Sequence, residues 1–256
     1  MRSEMGWSDA DHIVVRGYDL PTELLGHVDF GGIAFLELMG RLPAPDEAAV
    51  FNALLVTLVE HGMTPSAMVA RLTYLGAPEA LQSAVAAGLC GLGSVFVGTI
   101  EGSAKMLQEA LAEAGEAPEI AALAAAIVAD HRARRSAIPG LGHPIHRPDD
   151  PRTPRLFAIA EQHGFRGRHV ALMEAVRTEA ERVFGKVLPL NATGAIGALA
   201  GERGIPWRVA RGLGVMARAV GLVGHLLEEM RTPIARRIWA DTEASLDAAR
   251  DATSRG

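Results

Sequence analysis

The chain has 256 residues, of which 49% are hydrophobic and only 5% aromatic, so it can bury a sizeable core of small aliphatic side chains that suit helix-on-helix packing. Its formal net charge of −5 argues against nucleic-acid binding, which requires a basic surface. A single cysteine, Cys90, excludes an internal disulfide, and neither an apolar signal core nor a run of 18 apolar residues is found, so we expect a cytoplasmic protein without a membrane span.

Helix start and stop signals recur along the chain. An acidic turn at Asp46 opens an apolar-periodic segment that stops at Gly62, and Thr64 with Pro65 predicts the next helix, ending at Gly76. Further Ala-rich helices are expected to begin at Pro78 and Pro118, and others at 153–163, 169–185, 194–203 and 206–230. The sequence therefore predicts an all-α chain of roughly ten helices, with no linker that marks a domain boundary.

Residues 138–152 form the most unusual loop. It contains Gly140, Gly142, Pro139, Pro144, Pro148, Pro151, His143, His146, Arg147 and Arg152. Glycine permits sharp turns and proline restricts φ, so the loop loses less entropy when it becomes ordered. Histidine can titrate near neutral pH, and arginine offers a fork of donors for carboxylate or phosphate. The sequence of this loop predicts a site that binds an anion and contains an acid–base group. The alternative is that the loop is a solvated connection whose charges only keep it soluble.

The helix predicted at 206–230 carries a seven-residue repeat of cationic or titratable side chains. Arg211, Arg218 and His225 are each two helical turns apart and project from nearly one face, while apolar residues cover the rest. A cation on such a mostly buried helix needs an anion. Two interpretations stay open for Arg218. It could form an ion pair with Glu228, Glu229 or an acid on another helix, or it could bind an anionic ligand.

The sequence of the loop, GHPIHRPDDPR at 142–152, resembles the histidine loop of the citrate synthase superfamily, in which Gly-His is followed by a basic residue and Asp-Pro-Arg. Further segments resemble the family's motifs in the expected order: RGYD at 16–19, EHG at 60–62, GSVFVGTIEGSAKM at 93–106, LNATG at 190–194, ARAVG at 217–221 and IAR at 234–236. The chain is most similar to the short citryl-CoA lyase branch, which includes the C-terminal module of ATP-citrate lyase.

The resemblance implies a citrate-synthase-like, two-domain helical fold that lacks the N-terminal helices of full citrate synthases. A large domain would comprise 1–103 and 194–256, and a small domain 104–193. It also implies a homodimer, coenzyme A as part of an acyl-CoA substrate or product, a 2-keto acid as the other reactant, and no metal.

The resemblance implies roles for individual residues as well. Arg152, Arg218 and Arg236 would bind substrate carboxylates, with Arg236 reaching across the dimer interface. His143 would donate a hydrogen bond to the oxygen where charge changes during the reaction. His61 would orient the substrate's hydroxyl or carboxylate; as a histidine before a helix-ending glycine, it could equally interact with the helix dipole.

The second motif and the loop supply further expected contacts. Arg147 would contact the phosphates of coenzyme A or a nearby carboxylate, and Gly140 and Gly142 would also contribute to the coenzyme A site. Phe96 occupies the position at which citrate synthases have a histidine, and His225 on the arginine-bearing helix is expected near the substrate.

One position departs from the family's chemistry. The catalytic aspartate of the family is Thr193 here, and a threonine hydroxyl cannot act as a carboxylate base near pH 7. Glu101 is the first candidate for a replacement base and His225 the second; Glu101 could instead simply stabilise the start of a helix.

We expect the first of three functions, and the other two stay open as alternatives. The first is a citryl-CoA-lyase-like enzyme that cleaves a tertiary 3-hydroxyacyl-CoA into an acyl-CoA and a 2-keto acid. The second is a condensing enzyme of the citrate synthase type, and the third is a non-catalytic acyl-CoA-binding or regulatory protein.

Overall fold

The computed structural model is about 67% helical. It describes residues 3–115, 119–143 and 145–254, the last four of them by their backbone alone. It begins with a small antiparallel sheet of three strands in the order β1 (Gly6–Ser8), β2 (Ile13–Val15) and β3 (Tyr18–Asp19). Gly6 pairs with Val15, and Val15 pairs in turn with Tyr18. A five-residue π-helical turn, Leu20–Leu24, follows the sheet.

Within the described residues, eleven α-helices follow. They are α1 (Phe30–Met39), α2 (Pro45–Val59), α3 (Pro65–Gly76), α4 (Leu81–Cys90), α5 (Gly98–Ala114), α6 (Ile120–Ala133), α7 (Arg152–Gln162), α8 (Arg168–Phe184), α9 (Ala192–Glu202), α10 (Trp207–Arg231) and α11 (Ala235–Ser254). Thr64 caps α3 as predicted, because its side chain accepts a hydrogen bond from the Ala67 N–H. The all-α prediction is confirmed.

Some predicted helix starts differ from the structure. Pro78 lies in a turn, and α4 begins three residues later at Leu81, because the chain must first reverse direction after α3. Pro118 and Pro144 lie outside the described residues. Helices α1 and α11 were not predicted from sequence signals.

The chain divides into two compact units. The first contains residues up to Thr57 together with Thr99–Leu213. In it α6 packs on α8, and both α7 and α8 pack on α9. Helices α5 and α9 approach closely at Gly197, where an added Cβ would lie 2.0 Å from the Ser103 Oγ atom. The buried rings of Phe35 and Phe51 meet edge to face at 5.3 Å.

The second unit contains Leu58–Gly98 and the chain from Gly214 onward. Helix α3 packs on α4 and on α11, and small alanines let α10 approach α3 and α4. The buried cluster there consists of Ala67, Ala70, Ala84, Leu222 and Leu226. The division predicted from the resemblance, with a small domain at 104–193, follows different boundaries and stays a prediction.

Helix α10 is long and apolar enough to cross a bilayer by length and composition alone. Its most apolar window of 18 residues has a mean hydropathy of 1.2, and half of that window is buried. The core helix of a soluble protein passes the same test, and α10 carries Arg218 as a buried cation. The composition of α10 is therefore weak evidence for a membrane span.

Candidate active site

The histidine loop is attached to the start of α9 by a short antiparallel pairing. Leu141 forms an isolated bridge with Leu190, the Gly142 N–H donates to the Pro189 carbonyl, and the Asn191 N–H donates to the Gly140 carbonyl. These bonds satisfy backbone polar groups of the loop, whose described residues before α7 lie outside helices and sheets apart from this bridge. The pairing therefore fixes the backbone that leads into His143.

Gly140 has a structural role that differs from its predicted contact with coenzyme A. Its φ of +88° favours glycine, and an added Cβ would lie 2.5 Å from the Cα of Gly194. An added Cβ on Gly194 would in turn lie 2.7 Å from the Gly140 carbonyl oxygen. The two glycines therefore allow the loop and α9 to touch backbone to backbone.

The ring of His143 is oriented by its own loop. Its Nδ1 atom lies 3.1 Å from the Ile145 nitrogen and 2.9 Å from the His146 nitrogen, and both N–H groups donate to it. A neutral ring that accepts at Nδ1 carries its proton on Nε2. The ring also stacks on that of His146, with centroids 4.3 Å apart. His143 is thus held as an Nε2–H donor, the state that its predicted role requires.

Asp150 fixes the guanidinium of Arg152. The Asp150 carboxylate is fully buried and accepts hydrogen bonds from Arg152 Nε at 3.0 Å and Arg152 Nη2 at 2.8 Å. It also accepts from the Arg152 and Ala192 N–H groups, at the starts of α7 and α9. Burial by itself would raise the pKa of the Asp150 carboxyl, but these donors lower that pKa to about 2.

Thr193 lies in a chain of hydrogen-bonded side chains. Thr99 Oγ1 donates to Thr193 Oγ1 at 2.9 Å, and Thr193 Oγ1 donates to Asn191 Oδ1 at 2.6 Å. Asn191 Nδ2 then donates to the Gly142 carbonyl at 2.6 Å. Asn191 also caps α9, because its Oδ1 atom accepts from the Gly194 N–H. The position of the family's aspartate is therefore connected to the histidine loop.

The structure does not bring Glu101 together with Thr193. Thr99 and Ser103, four residues apart on α5, both bond to Thr193, the latter through the Thr193 carbonyl at 3.0 Å. Glu101 lies between them, roughly 200° away around the helix axis from Thr99. Its carboxylate instead forms an ion pair with Arg211 Nε at 2.9 Å. The position of Glu101 therefore does not support its predicted role as a base beside Thr193.

In the second unit, His225 belongs to a polar network around the buried Arg71. The Arg71 side chain is 1% exposed and donates from Nε and Nη2 to His225 Nδ1, at 3.3 and 2.9 Å. Because Nδ1 accepts, the proton of a neutral His225 ring lies on Nε2, which is 3.0 Å from the Glu60 carboxylate. Glu60 accepts in turn from the His61 and Gly62 N–H groups.

The remaining members of this network fix the start of α11. Arg71 forms ion pairs with Glu228 and Glu229, the two acids that sequence reasoning had considered as ion-pair partners of Arg218. The Glu229 carboxylate is itself buried and accepts from the Ile234 and Ala235 N–H groups. Burial by itself would raise the pKa of Glu229, but these N–H groups and Arg71 lower that pKa.

The other predicted residues of this unit lie as follows. Arg218 is buried and donates to the Leu58 carbonyl and to Thr64 Oγ1, both at 3.3 Å. His61 follows α2 and is partly buried. Phe96 lies in the turn before α5 and is 49% exposed. Arg236 is exposed in the first turn of α11.

The structure joins His143, Arg152, Thr193, Gly140 and Gly142 into one connected set in the first unit, and Arg147 Nε donates to the His143 carbonyl at 3.3 Å. Sequence reasoning gave no role to Thr99, Asp150 and Asn191, which make these connections, nor to Glu60 and Arg71 of the second unit. Asp150 could have been found as the acid of the Asp-Pro-Arg motif, because a carboxylate just before a helix can accept from the N–H groups of its first turn. The expected absence of a metal stays a prediction.

Residues 13–239 match the model of the citrate synthase C-terminal domain family, so the chain belongs to that family. The citryl-CoA lyase of Hydrogenobacter thermophilus is similar in structure, with a TM-score of 0.82 and 34% sequence identity over 91% of this chain and 88% of that one. Both the predicted family and the predicted fold are confirmed.

Two larger relatives match over part of their length. The ATP citrate lyase of Methanothrix soehngenii, solved with citrate and coenzyme A, shares the fold with a TM-score of 0.75 at 22% identity, over 90% of this chain and 39% of that one. The probable ATP-citrate synthase subunit 1 of Neurospora crassa is 28% identical over 233 residues, 84% of this chain and 33% of the relative. This chain spans about a third of the length of that relative. These relatives are lyases or synthases, which supports an enzyme of the citrate synthase superfamily.

Proposed function

We propose that this chain is a carbon–carbon lyase of the citryl-CoA lyase type, which cleaves a tertiary 3-hydroxyacyl-CoA into an acyl-CoA and a 2-keto acid. One observation carries the proposal: the similarity to a citryl-CoA lyase extends over 91% of this chain and 88% of that one. A fold by itself hosts many activities, so the side chains of the candidate site must also suit the reaction.

The reaction sets three tasks for the protein. The 3-hydroxyl group loses its proton, the bond between C2 and C3 breaks, and C3 becomes the carbonyl carbon of the keto acid. The electron pair of the broken bond moves to the thioester as an enolate, which then takes up a proton at C2. The site must therefore hold carboxylates, stabilise the enolate oxygen and transfer two protons.

His143 and Arg152 suit two of these tasks. The Nε2–H of His143 is a pre-oriented donor for an oxygen on which negative charge develops, and such donors stabilise a transition state because they need no reorganisation. Asp150 accepts hydrogen bonds from Nε and Nη2 of Arg152, so the Nη1 group of the guanidinium can donate to a substrate carboxylate. Asp150 also neutralises Arg152, which makes the guanidinium an oriented donor rather than a net positive charge.

The other assignments follow the family resemblance residue by residue. Arg218 and Arg236 would each bind a substrate carboxylate, and His61 would orient the substrate's hydroxyl group. Arg147, which is exposed beside His143, would contact the phosphates of coenzyme A. A homodimer would supply Arg236 from the partner subunit. A condensing enzyme would use the same residues for the reverse reaction.

A second candidate function is a non-catalytic acyl-CoA-binding protein. The observation that favours it is the hydroxyl of Thr193, which donates its proton to Asn191 and offers no carboxylate for proton transfer at carbon.

One experiment separates the candidates. Wild-type protein, His143→Ala and a control, His163→Ala, are incubated with citryl-CoA and its methyl-substituted analogues, and products are identified by mass spectrometry. A lyase releases keto acid and acyl-CoA from at least one thioester with wild type and the control, and much less with His143→Ala. Binding of thioesters by calorimetry without any product from wild type would instead support the non-catalytic function.

A further inference from the structure

Thr193 stands where the family has its catalytic aspartate, and its hydroxyl has two hydrogen-bond partners in the first unit, Thr99 and Asn191. The direction of each hydrogen bond decides whether this hydroxyl can exchange a proton with a substrate or donates its proton to an acceptor in the protein. That direction follows from partners whose chemistry is fixed.

The amide of Asn191 can be oriented in one way only. The Gly194 N–H can only donate, and it lies 3.1 Å from Asn191 Oδ1; the Gly142 carbonyl can only accept, and it lies 2.6 Å from Asn191 Nδ2. Turning the amide around would face donor with donor at Gly194 and acceptor with acceptor at Gly142. Asn191 therefore presents an acceptor, Oδ1, to Thr193.

The orientation of Asn191 sets the direction of the rest of the chain. A hydroxyl has one proton, and Thr193 must give it to Asn191 Oδ1, which lies 2.6 Å away. Thr193 must then accept from Thr99, whose Oγ1 lies 2.9 Å away. The proton of Thr193 is consequently engaged in holding Asn191, and Asn191 holds the carbonyl that immediately precedes His143.

We propose that Thr193 is a positioning residue that keeps the histidine loop in place through Asn191, and that it has no part in proton transfer at carbon. The effect on turnover rests on the proposed lyase function, whereas the effect on the loop does not. Polar bonds of this kind restrict a loop most where the backbone lies outside helices and sheets, as the described residues 138–143 and 145–147 do apart from the Leu141–Leu190 bridge.

Other contacts hold the start of α9 independently of Thr193. The Asp150 carboxylate accepts from the Ala192 N–H at 2.9 Å, and Thr153 Oγ1 donates to the Leu190 carbonyl at 2.8 Å. Removing the Thr193 hydroxyl should therefore loosen Asn191 and the loop while α9 stays folded. This separation makes the proposal testable.

The test compares Thr193→Val, which removes the hydroxyl but keeps the shape, with Thr193→Ser, which restores it. Thr178→Val, on the exposed face of α8, is the control for loss of a threonine hydroxyl. Amide hydrogen exchange is measured for peptides covering 138–147 and, as an internal reference without any of the substituted residues, α6 at 120–133. We expect about fivefold faster exchange at 138–147 in Thr193→Val, and exchange within about twofold of wild type in Thr193→Ser and in the control.

Kinetics supply the second measurement. Thr193→Val should lower kcat more than it raises KM for the thioester, because a displaced His143 loses interactions that strengthen in the transition state, and Thr193→Ser should recover most of kcat. Unchanged exchange at 138–147 in Thr193→Val, or a serine variant that behaves like the valine variant, overturns the proposal. If valine does not fold, Thr193→Ala against Thr193→Ser makes the same comparison. A wild type without lyase activity refutes the proposed function, and the exchange measurement still decides the role of Thr193.

Discussion

Replacing Asp150 by asparagine tests the anchor of Arg152 with little change in shape. The Asp150 carboxylate is 0% exposed, and its hydrogen bonds lower its pKa from the ordinary value of 3.8 to about 2. That difference corresponds to about 2 kcal/mol by which folding stabilises the charged carboxylate. We expect Asp150→Asn to reduce the free energy of unfolding by about this amount at pH 7, measured by urea denaturation.

The pH dependence follows from the direction of the shift. Because the pKa of Asp150 is lower in the folded chain than in the unfolded chain, the stabilisation is complete above about pH 4 and is lost as the pH falls from 4 toward 2. The difference between wild type and Asp150→Asn should therefore shrink to roughly half at pH 3.

The neighbouring Asp149→Asn is the matched control. Asp149 is 58% exposed and pairs with Arg177 at the surface, so its replacement should cost less than about 0.5 kcal/mol. An Asp150→Asn variant as stable as this control at pH 7, or a difference from wild type that stays constant down to pH 3, would refute the reasoning about the buried carboxylate.

Three further outcomes are expected. Arg71→Met should lower the free energy of unfolding by about 3 kcal/mol or more in urea titrations, because it leaves the buried Glu229 without its cation. Arg134→Met, at the surface, should lower it by less than about 0.5 kcal/mol, and equal effects of the two variants would contradict this expectation. His143→Ala should lower kcat about a hundredfold while calorimetry shows little change in acyl-CoA affinity, and an equal loss of both would indicate a structural histidine. Sedimentation at micromolar concentration should give a homodimer whose mass Arg236→Ala leaves unchanged, and a monomeric wild type would exclude a site completed by the partner subunit.

Short-range signals predicted much of the helical fold. Thr64 and Pro65 specify the start of α3 because they act on the backbone of the same turn. Helix α1 escaped prediction because Gly31 and Gly32 disfavour a helix locally. Gly31 leaves room there for the side chain of Asn52, whose oxygen would lie 1.9 Å from an added Cβ, and the local sequence does not identify Asn52.

The candidate site could be predicted only where a motif carries it. The resemblance identified the loop with His143 and Arg152, but not the contacts that orient them. Thr99 and Thr193 are 94 residues apart, and no spacing rule connects them. Glu101 was favoured from its place in the motif, and helical geometry then turns it toward Arg211. The contact between Thr99 and Thr193 instead follows from the packing of α5 on α9.

The proposed function requires that this chain break a carbon–carbon bond rather than a thioester bond. The most direct measurement is the product balance after incubation of wild-type protein with citryl-CoA, quenched and quantified by mass spectrometry. A lyase of the proposed type yields acetyl-CoA and oxaloacetate in equal amounts, at a rate proportional to protein. Release of citrate and free coenzyme A, or unchanged citryl-CoA at an enzyme concentration that binds it fully, would contradict the claim.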